Sequence, residues 1–398
     1  MKDIVDLNKI NKPKKSINKK KIAIAVSVGI ILLIVAITML LYYSSKDVRE
    51  FLDEYLFRKN VTQEKLNSIN LDYDSNISIF AYNKNICVLA ENKLTQYNSS
   101  GKVDCETNLE INNPIYNVNN KYIAISEKNG TEINLISGSD ILWTKKVDGN
   151  VSQLDVNSNG YVSAILTGTT YKSVIITFDK DGNELFKIYR SSTTVVDTNI
   201  SNDNKHLAFA EVNTSGTTIE SVIKIISIEK AKVSSDDFIE STYTADSNKL
   251  ILGIRFQGNN SLVCMYDEEI SILENGNNTV ILSLNEKGKN INFANINLEN
   301  CIYRSIEQNE GLFNTNTVVE IKNITNNKIT VHSIEGAAKY IYSYNNIIAV
   351  DLGQEIEFIN TSGWLLKSYS SGQEVQDVVI GNGIAGIVYK DKLEFLNL

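Results

Sequence analysis

The sequence predicts an all-β fold: a β-propeller of about eight four-stranded blades, preceded by one transmembrane helix and a short amphipathic helix. Three observations predict it. From about Leu71 onward, short runs rich in Ile, Val, Tyr and Thr alternate with Asn, Gly, Asp and Ser clusters, which is strand and turn punctuation. One turn-plus-strand unit recurs at intervals of mostly near 40 residues, the period of a four-stranded blade. Ahead of these repeats, residues 22–43 form a single uncharged apolar run.

The first element is a basic tail. Residues 1–21 carry eight lysines against Asp3 and Asp6, a balance of +6, with Lys19, Lys20 and Lys21 directly before the apolar run. By the positive-inside rule these lysines are topogenic and keep the tail in the cytoplasm. The run IAIAVSVGIILLIVAITMLLYY has 22 residues. At about 1.5 Å each they reach roughly 33 Å, enough for a hydrocarbon core of about 30 Å. Thirteen are Ile, Leu or Val, among them Ile22, Ile30, Leu33, Ile37 and Leu41. Near the bilayer centre such residues favour insertion by roughly 4–8 kcal/mol in total. Ser27 and Thr38 can bond back to the helix backbone, and Tyr42 and Tyr43 stand where an aromatic belt belongs. A cleaved signal peptide is the rival reading. Its apolar core would be about 7–15 residues, with a small-residue cleavage site. The exit here reads MLLYYSSKD.

Residues 44–70 predict a helical stalk. Val48, Phe51, Leu52, Tyr55 and Leu56 repeat at i, i+3, i+4, i+7 and i+8. A second short helix is expected to start near Thr62 and carry Leu66 and Ile69. The polar face mixes acids and bases, which favours a docked helix over one lying on a membrane.

Residues 71–398 are read as the propeller. Its repeating turn and strand includes NKNICVLA (83–90), SNGYVSAIL (158–166) and GNGIAGIVY (381–389). The eight copies centre near 88, 124, 164, 208, 264, 303, 348 and 386. A second hairpin follows most of them, as in VIITFDKDGNELFKIY (174–189) and IEFINTSGWLLKSY (356–369). Two hairpins make one blade. The last repeat ends at LEFLNL (393–398) with about three strands, so a strand near Ser68–Tyr73 is expected to supply the fourth and close the ring. Seven blades is the alternative, because Val233 to Gly258 is irregular and stretched.

The segments DGNELFK (181–187) and SGWLLK (362–367) resemble the turn and outer strand of quinoprotein-like and WD40-like blades. With its basic tail, single span and YNSSGK-type turn, the chain is similar to the single-span membrane-anchored propeller proteins of unknown function in low-GC Gram-positive bacteria. The resemblance covers about 330 residues and implies the fold, not an activity. The quinone enzymes use regular Trp docking positions. Only Trp143 and Trp364 occur here, so no cofactor is carried over.

Charge and composition narrow the partners. The chain is −8 overall, and residues 22–398 hold 31 basic and 45 acidic residues, a balance of −14. An acidic exported part argues against nucleic acid, whose binding rests on Lys and Arg neutralising phosphate. Cys87, Cys105, Cys264 and Cys301 are too few for a disulfide framework and lack C-x-x-C spacing. They read as core filler, with one disulfide as the alternative. The heavy use of Asn reads as coding bias, not function.

No catalytic constellation emerges. His206 and His332 are the two histidines, about three blades apart, and both read as strand-end residues. Asp155, Asn157 and Asn159 with Gly160 match the first half of a calcium loop, but position 12 is Leu166; a hairpin turn is the plainer reading. Paired carboxylates for glycoside chemistry would come from Asp155, Asp197, Glu211, Asp246, Asp267, Glu268 or Glu269, without a pair being singled out. Two functions stay open. One is a membrane-anchored extracytoplasmic scaffold for a protein or cell-envelope polymer. The other is an exported carbohydrate hydrolase or lyase with carboxylates in the central channel.

Overall fold

Asparagine sets many of the turns. Among the described residues, ten of the eleven non-glycine residues at positive φ are Asn, including Asn83, Asn120, Asn204 and Asn345. Its short amide tolerates the left-handed region and bonds its own backbone. In the turn Asn157–Tyr161, Asn157 Oδ1 accepts from Asn159 N and Tyr161 N, both at 3.0 Å. Asp179 and Asn360 close equivalent turns in the same way. The expected turn punctuation by Asn is thus borne out in the backbone.

Between these turns lie eight antiparallel sheets in a ring. The computed structural model describes residues 19–45, 48, 49, 52, 60–62, 66–71, 77–233, 238–310 and 314–398. Each sheet is one blade, with four strands running from the axis outward in chain order, except that Asn67–Asn70 forms the outermost strand of blade 8 and Asn60–Thr62 is added outside the fourth strand of blade 7. The inner strands of blades 1–4 are Ser78–Tyr82, Pro114–Asn119, Asn150–Val156 and Thr194–Ile200. Those of blades 5–8 are Ile251–Gln257, Asn290–Leu298, Tyr340–Tyr344 and Asp377–Gly381. The second strands begin at Asn85, Tyr122, Val162, His206, Ser261, Cys301, Ile347 and Ile384, so every expected repeat centre falls in one.

Closure is as expected. Blade 8 ends with Lys392–Asn397, and its fourth strand is Asn67–Asn70 from the start of the domain. The pair is antiparallel, with Asn67 opposite Phe395 and Asn70 opposite Lys392. This covers an edge that would otherwise present free N–H and C=O groups.

Eight blades are present, so the seven-blade alternative falls away. The stretched region lies in blade 4. There a one-turn helix, Ile228–Ala231, separates the third strand, Glu220–Ser227, from the outer strand, Ile239–Thr244. Ser227 caps it by accepting from Lys230 N.

The core sits between blades. Eight buried apolar clusters occur, one at each blade–blade interface, including the closing contact of Ile384, Leu393 and Phe395 with Ile86 and Val88. No blade buries both faces alone, so the ring is stable only as a closed set. The four thiols are free.

The N-terminal unit carries a helix over Lys19–Ser44, slightly longer than the expected span of 22–43. Its described side chains from Val26 onward, including Ile30, Leu33, Ile37, Leu41 and Tyr43, are not buried by protein. Thr38 Oγ1 donates back to Ile34 O at 2.9 Å. The amphipathic helix expected over 46–59 lies mostly outside the described residues. The expected helix near Thr62 is corrected: Asn60–Thr62 and Asn67–Asn70 are strands, because sheet edges offer this segment hydrogen-bond partners that a short helix lacks.

Candidate functional site

Among the described residues, a cavity in the central channel and a groove on one face each have room for a ligand. The channel is walled by the eight inner strands, and its two sides differ.

Across blades 2–5 the inner strands are stapled by polar side chains. Asn117 Oδ1 accepts from Val156 N at 3.2 Å, Asp155 Oδ2 from Ile200 N at 3.1 Å, and Asn199 Oδ1 from Phe256 N at 2.8 Å. Each acceptor lies one blade before its donor. Asn199 also donates back to Asp155 Oδ1 at 3.2 Å. A second rung runs beside the first. Gln153 Nε2 donates to Asp197 Oδ1 at 2.6 Å, and Asp197 Oδ2 accepts from Ile254 N at 2.8 Å. Burial pushes Asp155 up to about 7, helped by the charge on Asp197. Burial also lifts Asp197, to about 6, against the bonds it accepts.

Blades 6–8, 1 and 2 line the other side with aromatic and apolar groups. A cavity of about 450 Å³ is bounded there by Phe80, Tyr116, Tyr342, Tyr344, Ile341 and Val378, among others. Phe80 and Tyr116 stack with centroids 4.3 Å apart. Burial raises the Tyr342 hydroxyl, and the charges of Asp377 and Asp351 raise it further. Among the described residues bordering this cavity none is a carboxylate, although Asp377 stands close enough to add to the burial that raises both Tyr342 and Tyr116.

The seven acids named for glycoside chemistry do not converge on a cleft. Asp155 and Asp197 belong to the staples. Glu211 is buried in blade 4, where burial would raise it; bonds from Lys224, Thr193 and Arg190 outweigh that and hold it low. Asp246 and Glu269 share Lys249 at 3.1 and 2.9 Å. Asp267 accepts from Leu250 N at 3.1 Å, and Glu268 from Asn285 at 2.9 Å.

The calcium-loop residues are directed apart. Asp155 faces blade 4, Asn157 Oδ1 closes its own turn, and Asn159 Nδ2 donates to Asn202 O at 2.6 Å. His206 meets Glu240 at 3.1 Å in blade 4, and His332 meets Glu357 at 3.0 Å from blade 6. They are two blades apart, not three, because blade 4 is long and His332 sits on the outer strand of blade 6 while His206 opens the second strand of blade 4.

The face groove has a volume of about 510 Å³ and is lined by Asn120, Lys121, Tyr122, Ser158, Asn159, Tyr161, Lys180 and Asn204. Most come from the first turns of blades 2, 3 and 4, at matching places in consecutive repeats. That recurrence, in NNKY, SNGY and NDNK, was the available sequence signal. Gly160 shows how closely the turns nest: at φ +82°, an added Cβ would lie 2.8 Å from the Tyr122 ring. Asn159 is the one lining residue that the calcium-loop spacing marks; Lys121 and Lys180 carry no local signal of their place here.

The ring of eight sheets, seven of four strands and one with Asn60–Thr62 added as a fifth, defines the chain as a β-propeller. It belongs to DUF5711, a family of unknown function, which matches residues 57–398. No curated protein matches the chain in sequence. BamB from Moraxella catarrhalis is 10% identical with a TM-score of 0.48, over 84% of this chain and 99% of that one. The propeller domain of Cps50 (Swd1) from Myceliophteria thermophila is 8% identical with a TM-score of 0.44, over 83% and 99%. The Pan2 WD40 domain from Neurospora crassa is 10% identical with a TM-score of 0.44, over 70% and 87%. At such identities these likenesses concern the fold alone.

Proposed function

We propose that the chain is a single-pass membrane protein whose propeller stands outside the cytoplasm and serves as a scaffold for a protein or an envelope polymer. The observation that carries this reading is the helix Lys19–Ser44. It is apolar on every side from Val26 onward, and none of that stretch is buried by protein. Exposing it to water would cost far more than placing it in lipid. The lysines before it favour a cytoplasmic N-terminus, and the propeller then follows on the other side. In this reading residues 1–21 are the tail and 22–43 the span with Tyr42 and Tyr43 at its interface; the linker follows from 44 and ends before Asn60, where the first strand of the ectodomain begins.

The engaged state of the acids supports binding over hydrolysis. The staples hold Asp155 and Asp197, and no carboxylate is among the described residues bordering the channel cavity.

Thiol labelling tests the topology. In a Cys105→Ser background, Ser100→Cys lies on an exposed turn, and Ser16→Cys lies in the tail. A membrane-impermeant maleimide should label the first in intact protoplasts and the second only after lysis. Labelling of Ser100→Cys that also waits for lysis would sink the proposal.

A further inference from the structure

The face groove is built from donors. Lys121 and Lys180 both line it, and neither has a bonded carboxylate among the described residues. Lys121 instead has its Nζ 5.2 Å from the Tyr122 ring centroid. The acidic balance of the domain makes two unpaired lysines at one cavity informative. Asp181, beside Lys180 in sequence, is not part of the lining.

Asn204 adds an independent observation. Its Oδ1 accepts from Asn157 Nδ2 at 2.6 Å and from Asn159 Nδ2 at 3.2 Å. Two donors on one oxygen fix the amide orientation, because the opposite flip would set donor against donor. The Asn204 oxygen therefore belongs to the latch between blades 3 and 4, and its NH₂ points away from that latch. Ser158 and Asn159 are tied to the same blade through Asn202. The groove floor is thus held in place before any ligand arrives, which lowers the ordering cost of binding.

The groove's volume of about 510 Å³ equals roughly 17 water volumes of about 30 Å³ each. A bare oxyanion would fill a small part of it. Asn120, Ser158 and Tyr161 offer further polar contacts of the kind hydroxyls take up.

We infer that this groove binds an oxyanion carried on a polyhydroxylated ligand, a phosphorylated or carboxylated sugar or polyol. Lys121 and Lys180 supply the charge, the Asn204 NH₂ supplies a directed donor, and the rim takes up the hydroxyls. The inference rests on the scaffold reading and names the ligand class for it. Binding is read on detergent-solubilised protein, so its failure is separate from a failure of topology.

The test is calorimetric titration of the full-length protein in micelles with three probes: glycerol 3-phosphate, galacturonate trimer and maltotriose. At least one anionic probe should bind, and the neutral trisaccharide should bind at least tenfold more weakly. The responding arm tells phosphate from carboxylate. Lys121→Ala with Lys180→Ala should weaken binding by roughly tenfold or more, the scale of a lost charge-assisted hydrogen bond. Asn204→Asp keeps the latch oxygen but replaces the NH₂ with negative charge, and should weaken binding at least as much. Unchanged unfolding midpoints show that the variants fold; should Asn204→Asp fail to, the double lysine variant still decides. No binding of either anion, equal binding by the lysine variant, or equal binding of maltotriose would overturn the inference.

Discussion

The inner ring uses the same strand eight times in two ways. Across blades 2–5, Asn117, Asp155, Asp197 and Asn199 reach to the next blade and satisfy its backbone N–H groups. Across blades 6–8, 1 and 2, Tyr342, Tyr344, Phe80 and Tyr116 wall the axis and leave a cavity. The difference teaches that the frame does not set the character of the channel. Where the inner strand carries a short acceptor, adjacent blades are locked. Where it carries a ring, space remains beside the axis. The first side resists opening, and the second is where the channel has room for a ligand.

The largest expected effect comes from breaking a staple. Asp197→Ala would leave Ile254 N and Gln153 Nε2 without their acceptor. Each buried unsatisfied donor costs about 1–3 kcal/mol, so a loss of about 3–5 kcal/mol is expected with the vacated space included. Urea unfolding of the protein in micelles measures it. A loss below about 1 kcal/mol would mean the staples do not lock the blades.

The second effect is a pH dependence confined to the stapled side. Asp155 rises from an ordinary 3.8 to about 7, mainly through burial and then through Asp197. Asp197 rises to about 6. Between the ordinary and folded values, the folded state holds more protons than the unfolded chain. Stability from these groups is therefore highest at the acid end of the window and falls as pH rises towards about 7. A drop of about 3–4 kcal/mol between pH 5 and 7 is expected for the two groups together, at up to roughly 1.4 kcal/mol per unit for each. Asp155→Asn removes its share. The slope is the readout, since the new amide would face Asn199 Nδ2 and lower stability at every pH. An unchanged slope in this variant would assign the dependence elsewhere.

The ring itself was largely legible, and the contrast within it was not. The eight second strands follow from hydrophobic runs between Asn and Gly turns, a local signal. Closure by Asn67–Asn70 followed from a missing fourth strand and the cost of an open edge. Blade 4 blurred the count because the helix Ile228–Ala231 interrupts the hairpin. The staples were hidden because Asn117, Asp155 and Asn199 meet partners about 40 to 60 residues away, and no local pattern marks which blade an amide faces. Asp155 was noticed for the wrong chemistry: its spacing with Asn157 and Asn159 resembles a calcium loop, but the strand ends at Val156, and the two asparagines lie in the turn beyond it, bonded to the turn backbone and to Asn204. The groove lysines were passed over because Lys in a turn usually faces water. Only the stacking of repeats brings Lys121 and Lys180 to one cavity.

The smallest expected effect lies on the aromatic side. Tyr342 is half-buried and already borders open space. Tyr342→Ala removes a ring that is only partly withdrawn from water, so a loss of about 1 kcal/mol is expected, below the 1.5–3 kcal/mol of a fully buried large side chain. No backbone N–H is bonded to its side chain among the described residues, so no orphaned donor adds to that figure. Read beside Asp197→Ala in the same urea assay, the two variants give the contrast directly. A Tyr342→Ala loss equal to that of Asp197→Ala would show that ring packing holds the blades as firmly as the staples do. The contrast between the two sides of the ring would then be wrong, and the channel cavity would be a packed seam and not a place with room to bind.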